Sequence, residues 1–334
     1  MKILVVKPSS LGDIIHALPT VRVLRHAFPQ ADIAWLVNEN FAPILDGCPV
    51  INRVIPFARH RYNTPHGMVE LGRLLAALRR ERFDWAIDLQ CLLRSSLVTL
   101  ATGARRRTGL ADGREGSTNF YNEHIKIPAV HMHAVDRYLM LPRQLGIQVD
   151  SVEFPLAPDP RGPKAGPEKL ILINPGARWP TKRWPAPCFG ELLARLAALW
   201  PDHRFAIIGS ADEHVTAEAI AAAAHTPVES LAGRTTLPQL VDLMRRAALL
   251  ISNDSGPMHL AALLGTPLAA FYGPTDPART GPFWERAAVF QGDCGCIKCL
   301  RRYCDWKAHD CRADVSPPQV AGRVLDFLRE GARR

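Results

Sequence analysis

Polar residues suited to catalysis follow the first apolar run of this sequence. The run "MKILVV" predicts a strand, and the segment "KPSSLGDIIHALPT" then places Ser9, Ser10, Gly12 and Asp13 ahead of a helical pattern. A carboxylate at such a strand-to-helix junction either caps the helix or points into a ligand cleft, where it can act as a general base. This segment alone leaves both interpretations of Asp13 open.

A second candidate site lies in "SNDSGPMHLAALLG", where polar residues separate an apolar run from a helical pattern with proline in its first turn. Backbone N–H groups at a helix start attract phosphate, and glycine lets a ligand approach closely. The residues concerned are Asp254, Ser255, Gly256 and, one turn further, His259. An ordinary helix cap with a structural histidine is the alternative interpretation.

Charged residues follow two more predicted strands in the same half of the chain. Arg178 and Lys182 lie in "NPGARWPTKRWP", after a Pro-Gly turn. Basic side chains there suit a diphosphate, because they neutralise charge that develops on a leaving group. Glu213, in "GSADE", is a candidate acceptor of hydrogen bonds from ribose hydroxyls. Solvent-exposed surface charge and a plain helix-start glutamate are the alternatives.

Cysteines cluster near the end of the chain. Cys296, Cys299, Cys304 and Cys311 lie close together in sequence, and Cys294 is a fifth candidate. In a reducing compartment such spacing favours a metal over disulfides, and Cys-x2-Cys is a common ligand pair. We therefore expect a structural zinc or iron at this cluster, with free thiols and disulfides as the alternatives.

Strand and helix patterns alternate in both halves of the chain, which predicts an α/β protein with two doubly wound parallel sheets. We place an N-terminal domain at residues 1–155, a Pro- and Gly-rich linker at 156–168 and a C-terminal domain at 169–334. Ligands of such sheets bind beyond the carboxyl ends of the strands. The candidate residues above lie in those strand-end loops, which would line a central cleft between facing domains.

Composition limits the classes of function. Hydrophobic residues make up 47% of the chain, no apolar run approaches the roughly 20 residues of a membrane span, and the first residues lack the features of a signal peptide. We therefore expect a cytoplasmic protein. The net charge of +9 indicates an anionic partner. Nucleic acid is disfavoured, because the basic residues are not interleaved with aromatic ones, which form only 7% of the chain.

Three common fingerprints are absent from the sequence. No G-x-G-x-x-G follows the first strand, and neither G-x-x-x-x-G-K-[ST] nor G-x-S-x-G occurs. A nicotinamide-binding fingerprint, a P-loop hydrolase and a serine nucleophile elbow are therefore unsupported.

Several segments together resemble the lipopolysaccharide heptosyltransferases, glycosyltransferase family 9. They are "VVKPSSLGDIIHALPTV", "FDWAIDLQCLLRSSLVTLATGARRRTGL", "FYNEHI", "NPGARWPTKRWP", "NDSGPMHLAALLGTP" and "FYGPTDP", in family order over nearly the whole chain. The first half is more similar to the type I members, which add the first heptose to the Kdo sugars of lipid A. The resemblance implies a GT-B fold of two Rossmann-like domains, with the acceptor on the first and ADP-heptose on the second.

The resemblance also implies residue roles. It makes Asp13 the general base. The implied donor-binding residues are Arg178, Lys182, Glu213, Asp254, Ser255, Gly256 and His259. The implied acceptor-binding residues are Lys7, Ser9, Ser10, Arg59, Arg61 and Arg94. The match is looser around "ARHRYN", where one expected basic position carries His60.

The implied reaction is an inverting transfer of heptose from ADP-heptose that needs no cofactor for catalysis. The implied acceptor is an anionic lipopolysaccharide precursor, Kdo-lipid A, met at the cytoplasmic face of the inner membrane, with no role for nucleic acid. The cysteine cluster departs from the type I pattern and is common in type II and protein-modifying relatives. A later core heptose and a protein acceptor therefore stay open. A nucleotide-sugar epimerase, which needs acids on both sides of the sugar, and a non-catalytic nucleic-acid binder are less favoured.

Overall fold

Two α/β units make up the chain, Met1–Pro160 and Arg161–Arg334. The computed structural model describes residues 1–128, 131–156, 168–283, 287–304, 311–312 and 314–333. The predicted linker, 156–168, lies outside the described residues except at its two ends. No described helix combines the length and the apolar character that crossing a membrane demands.

Unit 1 is built on a parallel sheet. Its described strands are β1 (Lys2–Val6), β2 (Asp32–Asn38), β3 (Arg53–Phe57), β4 (Trp85–Asp88), β5 (Arg106–Leu110) and β6 (Glu123–Ile125). Its described helices are α1 (Leu11–Ala27), α2 (Pro65–Arg80), α3 (Leu93–Ala101) and α4 (Ala134–Gln144). The strand order β3-β2-β1-β4-β5-β6 is that of a Rossmann fold.

The core of unit 1 follows from the two-residue period of a strand. Successive side chains point to opposite faces of the sheet, so Leu4 and Val6 of β1 pack with Leu78 of α2 and Val98 of α3. Helix α1 packs against α4. Strand β1 is buried on both faces, as a central parallel strand requires.

Unit 2 repeats this design. Its described strands are β7 (Leu170–Asn174), β8 (Arg204–Ile207), β9 (Val228–Ser230), β10 (Leu249–Asn253), β11 (Leu268–Tyr272) and β12 (Ala287–Gln291). Its described helices are α5 (Ala186–Leu199), α6 (His214–Ala223), α7 (Leu237–Arg246), α8 (Gly256–Leu264), α9 (Pro277–Thr280) and α10 (Pro317–Arg333). The order β12-β11-β10-β7-β8-β9 is the same Rossmann order read from the other edge. The predicted doubly wound parallel sheets are confirmed.

Each sheet has one point where the strand order reverses direction, and the loops beside that point are adjacent. In unit 1 the point lies between β1 and β4, where Val6 pairs with Asp88. In unit 2 it lies between β7 and β10, where Asn174 pairs with Ser252. Ligands of open α/β sheets bind at such points, so each unit has its own candidate site, in the loops that follow β1 and β4 in unit 1 and β7 and β10 in unit 2.

Candidate functional site

Asp13 lies in the first turn of α1, just beyond the end of β1. The backbone N–H and the hydroxyl of Ser10 both donate to Asp13 Oδ2, at 3.0 and 2.7 Å. Among the described residues no hydrogen bond reaches the other oxygen, Oδ1. Asp13 is therefore a helix cap whose second oxygen remains able to accept a proton, so the two interpretations of this carboxylate are compatible.

Lys7 supplies a buried positive charge close to Asp13. Its side chain is only 3% exposed, and Nζ donates to the Leu89 carbonyl at 3.1 Å and lies 5.1 Å from the centre of the Tyr138 ring. Burial raises the pKa of the Asp13 carboxyl, but the Lys7 ammonium and the hydrogen bonds from Ser10 outweigh it and hold that pKa below its usual value. Asp13 is consequently ionised at neutral pH.

A pocket opens at the carboxyl ends of β1 to β4, beside the loop that leads to Asp13. It is lined by Val6, Pro8, Ser9, Leu36, Asn38, Phe57, Arg59, Gln90, Leu92, Arg94, Ser95 and Val98. Arg59 precedes α2 and Arg94 lies in the first turn of α3, so two elements bring guanidinium groups to one opening. Paired guanidinium groups suit a carboxylate or phosphate ligand.

The other predicted acceptor residues lie outside this pocket. Arg61 pairs with Glu39, Nη2 to Oε2 at 3.3 Å. Ser10 bonds to Asp13, and Lys7 is buried behind the loop. The structure therefore brings Ser9, Arg59 and Arg94 together and separates Arg61 from them.

Gln90 is a pocket residue that the sequence did not single out. Its side-chain oxygen accepts from the Ser9 N–H at 3.3 Å. Its own N–H donates to buried Asp88 at 2.8 Å, and Tyr121 donates to the same carboxylate at 2.8 Å. Burial raises the pKa of Asp88. Asp88 thus fixes the loop after β4, and its place at a strand end was the available sequence signal.

In unit 2, Lys182 and Asp254 form an ion pair at the switch point. Lys182 Nζ lies 2.7 Å from Asp254 Oδ2, and Thr275 Oγ1 donates to the same oxygen at 2.5 Å. The side chains are 18% and 3% exposed. A carboxylate this deeply buried needs its partners, since an uncompensated buried charge is strongly destabilising.

Packing explains why the loop after β7 reaches the end of β10. The Trp184 ring stacks on Phe271 with centroids 4.3 Å apart, and its backbone N–H donates to Asn253 Oδ1 at 3.0 Å. Asn253 Nδ2 donates in turn to the Pro175 carbonyl at 2.6 Å. Both ends of the loop are therefore held to β10, which places Lys182 beside Asp254.

The start of α8 lies at the same point. Ser255 directly precedes Gly256, the first residue of that helix, and its hydroxyl accepts from Asn174 Nδ2 at 2.7 Å. His259 is buried one turn further. The N-terminus of a helix carries partial positive charge, so Lys182 and the first turn of α8 together can bind a phosphate group.

Glu213 borders this loop from the next strand. Its Oε2 accepts from the Ser210 N–H at 2.8 Å, and the carboxylate lies so close to Gly176 that a Cβ at that position would overlap it. Glycine at this position lets the carboxylate approach the loop closely. Arg178, in the same loop, is exposed.

The cysteine cluster is not assembled into a metal site in the part of the chain that the structure describes. Cys294 Sγ and Cys296 Sγ lie 3.4 Å apart, whereas Cys299 and Cys304 are exposed and Cys311 is half-buried. No group of three or more described His, Cys, Asp or Glu side chains is placed to hold a metal ion. The predicted zinc or iron is therefore unsupported.

Comparisons with known proteins agree with this fold. The model of glycosyltransferase family 9 (heptosyltransferase) matches residues 71–309. The chain is 31% identical to lipopolysaccharide heptosyltransferase 2 of Escherichia coli (strain K12), covering 98% of this chain and 99% of that protein. It is 32% identical to lipopolysaccharide heptosyltransferase 1 of Pseudomonas aeruginosa, covering 99% and 92%.

A solved structure extends the likeness to three dimensions. The E. coli ADP-heptose lps heptosyltransferase II superimposes with a TM-score of 0.81 at 29% identity, covering 99% of this chain and 100% of that one. The predicted GT-B fold class is confirmed. Over the full chain, types 1 and 2 are matched almost equally. On this evidence the chain is a glycosyltransferase and belongs to family 9, the heptosyltransferases.

Proposed function

We propose that this enzyme transfers heptose from ADP-heptose to a sugar hydroxyl of the lipopolysaccharide inner core, with inversion at the anomeric carbon. One observation carries the proposal: the two switch points hold complementary chemistry. Unit 1 has an ionised carboxylate next to an arginine-lined pocket. Unit 2 has a lysine paired with Asp254, two residues before the start of α8. Relatives named as lipopolysaccharide heptosyltransferases support this choice of substrates.

The donor half of the reaction belongs to unit 2. The first turn of α8 and Lys182 bind the diphosphate, with Arg178 adding charge from the exposed side of its loop. Glu213 accepts hydrogen bonds from the ribose hydroxyls. As the bond from the anomeric carbon to the diphosphate oxygen breaks, the electron pair stays on ADP. Lys182 stabilises that developing charge, which is where an electrostatic contribution to catalysis is largest.

The acceptor half belongs to unit 1. The acceptor oxygen forms its bond to the anomeric carbon while its proton passes to Asp13 Oδ1, the oxygen that the Ser10 cap leaves available. Arg59 and Arg94 hold an anionic group of the acceptor. No metal takes part, because Lys182 and the helix start supply the charge that the leaving group requires.

An anionic acceptor is favoured over an uncharged polypeptide because two guanidinium groups line the pocket. Kdo-lipid A carries the carboxylates and phosphates that such groups bind. This acceptor is anchored in the inner membrane, so the proposed site of action is the cytoplasmic face of that membrane. An acceptor that already carries one heptose is the alternative, since relatives of both types are matched.

A panel of acceptors tests this choice. ADP release from ADP-heptose is measured with Kdo-lipid A, with Kdo-lipid A that carries one heptose, and with an unfolded polypeptide. We expect the highest kcat/KM with Kdo-lipid A. A clear preference for the heptosylated acceptor would instead assign the enzyme to a later step of core assembly. A preference for the polypeptide would contradict the lipopolysaccharide assignment.

Arg59→Ala combined with Arg94→Ala should raise the KM for the acceptor by about 10-fold or more, because charge-assisted hydrogen bonds to the acceptor are lost. The KM for ADP-heptose should stay unchanged, and the salt dependence of the acceptor KM should weaken. Arg61→Ala is the matched control, since Arg61 pairs with Glu39 outside the pocket. An equal effect of the control would place the acceptor site elsewhere.

Lys7→Met should move the acid limb of the pH–rate profile to higher pH. The substitution removes the charge that lowers the pKa of Asp13 and leaves burial, which raises it. A base with a raised pKa becomes protonated, and therefore inactive, at a higher pH. Profiles of kcat/KM against pH are compared with those of Lys126→Met, which changes an exposed lysine. Coincident profiles would show that Lys7 does not tune Asp13.

A further inference from the structure

Helix α3 buries three hydroxyl side chains beside Val98 and exposes three of its leucines. Ser95, Ser96 and Thr99 are buried. Their hydroxyls are satisfied within the helix, as in the bonds of Ser96 Oγ to the Leu93 carbonyl at 2.8 Å and of Thr99 Oγ1 to the Ser95 carbonyl at 2.9 Å. Such local bonds let a polar face be buried without other partners.

The outer face of α3 carries Leu93, Leu97 and Leu100, which are 38%, 45% and 42% exposed. Their spacing of four and three residues places them in one line along the helix. An amphipathic helix of a protein that is surrounded by water turns such a stripe toward its core. The reversed arrangement therefore indicates that the outer face of α3 meets an apolar phase.

Helix α2 extends this apolar surface. It packs against α3 and exposes Met68 and Val69 in its first turn. Both helices connect parallel strands of one sheet, so they run in the same direction and both begin at the carboxyl edge of the strands. We call the five side chains of Met68, Val69, Leu93, Leu97 and Leu100 the apolar ridge.

The apolar ridge begins where the acceptor pocket opens. Arg94, Ser95 and Val98 of α3 line that pocket, while the leucines of the same helix lie on its outer side. Arg59 and Arg94 line the pocket beside the start of α3, where the Leu93 N–H donates to the Glu115 carboxylate, and Arg73 and Arg80 are exposed on α2. Exposed apolar side chains with arginines beside them fit the surface of a bilayer, where anionic head groups cover an apolar layer of acyl chains.

We propose that the apolar ridge inserts into the surface of an anionic phospholipid bilayer, with the neighbouring arginines on the lipid phosphates. This inference rests on the proposed function, since it names how the enzyme reaches a membrane-anchored acceptor. The pocket then lies at the level of the head groups. The sugars of the acceptor enter the pocket while its acyl chains stay in the bilayer.

Co-sedimentation with vesicles tests the ridge directly. The full chain is mixed with phosphatidylglycerol vesicles and with phosphatidylcholine vesicles. We compare the unmutated protein, Leu97→Gln with Leu100→Gln, and Leu199→Gln as the matched control, since Leu199 is a similarly exposed leucine of unit 2. We expect binding to the anionic vesicles only, reduced about 10-fold or more by the ridge variant and unchanged by the control.

Activity assays separate this inference from the proposed function. The ridge variant should transfer heptose normally to a soluble acceptor without acyl chains and more slowly to Kdo-lipid A in vesicles. If the unmutated protein transfers heptose to neither acceptor, the proposed function is refuted. Vesicle binding would still show whether the apolar ridge binds a membrane.

Two results would overturn the inference. One is binding of the ridge variant to anionic vesicles as tightly as the unmutated protein. The other is a dimer in solution that the variant converts to a monomer without any vesicle binding, which would make the ridge a contact between copies of this chain. Met68→Gln with Val69→Gln serves as a second variant if the first one unfolds, which thermal melting reports.

Discussion

Asp13→Asn should lower the turnover number by roughly 100-fold or more, the usual contribution of a general base. Asparagine keeps the shape of the side chain, and its amide oxygen can still accept the bonds that Ser10 donates to Asp13. What it loses is the ability to take the proton from the acceptor hydroxyl. Folding and ADP binding should therefore remain close to those of the unmutated protein, as measured by thermal melting and calorimetry.

A cap without a chemical role provides the control for this variant. Thr236 caps α7 through its hydroxyl, so Thr236→Ala removes cap stability of about 1 kcal/mol without touching either switch point. We expect it to lower the melting temperature and to leave turnover unchanged. If Asp13→Asn behaves in the same way, with turnover within a few-fold of normal, Asp13 is only a cap.

Lys182→Met should weaken ADP binding by about 10-fold or more and slow transfer further. The rate of transfer should fall more than the affinity for ADP, because the negative charge that Lys182 offsets grows as the diphosphate leaves. The same change should also destabilise the fold by about 3 kcal/mol, since Asp254 is left buried without its cation. Calorimetry, steady-state rates and denaturant unfolding measure the three effects.

A double variant separates stability from function. Lys182→Met with Asp254→Asn removes both charges, so it should recover much of the lost stability while ADP binding and transfer stay impaired. The double variant would then fold well and bind the donor poorly. Recovery of normal ADP affinity together with stability would instead show that Lys182 acts only as a structural partner of Asp254.

The central strands of each sheet could be predicted from the sequence. Strands β1 and β10 are buried on both faces, so they read as short continuous apolar runs. Strand β5 and its neighbour β6, which lies at the edge of the sheet, do not stand out as apolar runs in the sequence. Their sequences, RRTGL and EHI, carry charged residues that pair across the two strands, as Arg106 does with Glu123 at 2.8 Å.

The packing of helix α3 could not be predicted for a different reason. The periodicity of its leucines marks a face that is exposed in the structure. Sequence periodicity locates an apolar stripe on a helix, but it does not show whether the stripe packs on the protein core or lies on the outer surface. The same helix carries the ridge for which we propose a membrane partner.

The sequence predicts where in the fold the candidate site residues lie, but it does not predict which side chains contact each other there. Asp13 and Asp254 follow central strands, and the topology of a doubly wound sheet carries such residues to its ligand edge. The pairing of Lys182 with Asp254 depends on Trp184 and Asn253, which join segments about 70 residues apart in sequence. Likewise Arg94 joins Arg59 only through the packing of α3 beside α2.

Product analysis tests the central claim most directly. The enzyme is incubated with ADP-heptose and Kdo-lipid A. The mass of the lipid product is measured by mass spectrometry, and the configuration of its new glycosidic linkage is assigned by NMR. We predict one added heptose with inverted anomeric configuration, formed together with an equal amount of ADP and formed about 100-fold or more slowly by Asp13→Asn. Release of ADP and free heptose with an unmodified lipid, or a product with retained configuration, would contradict the account.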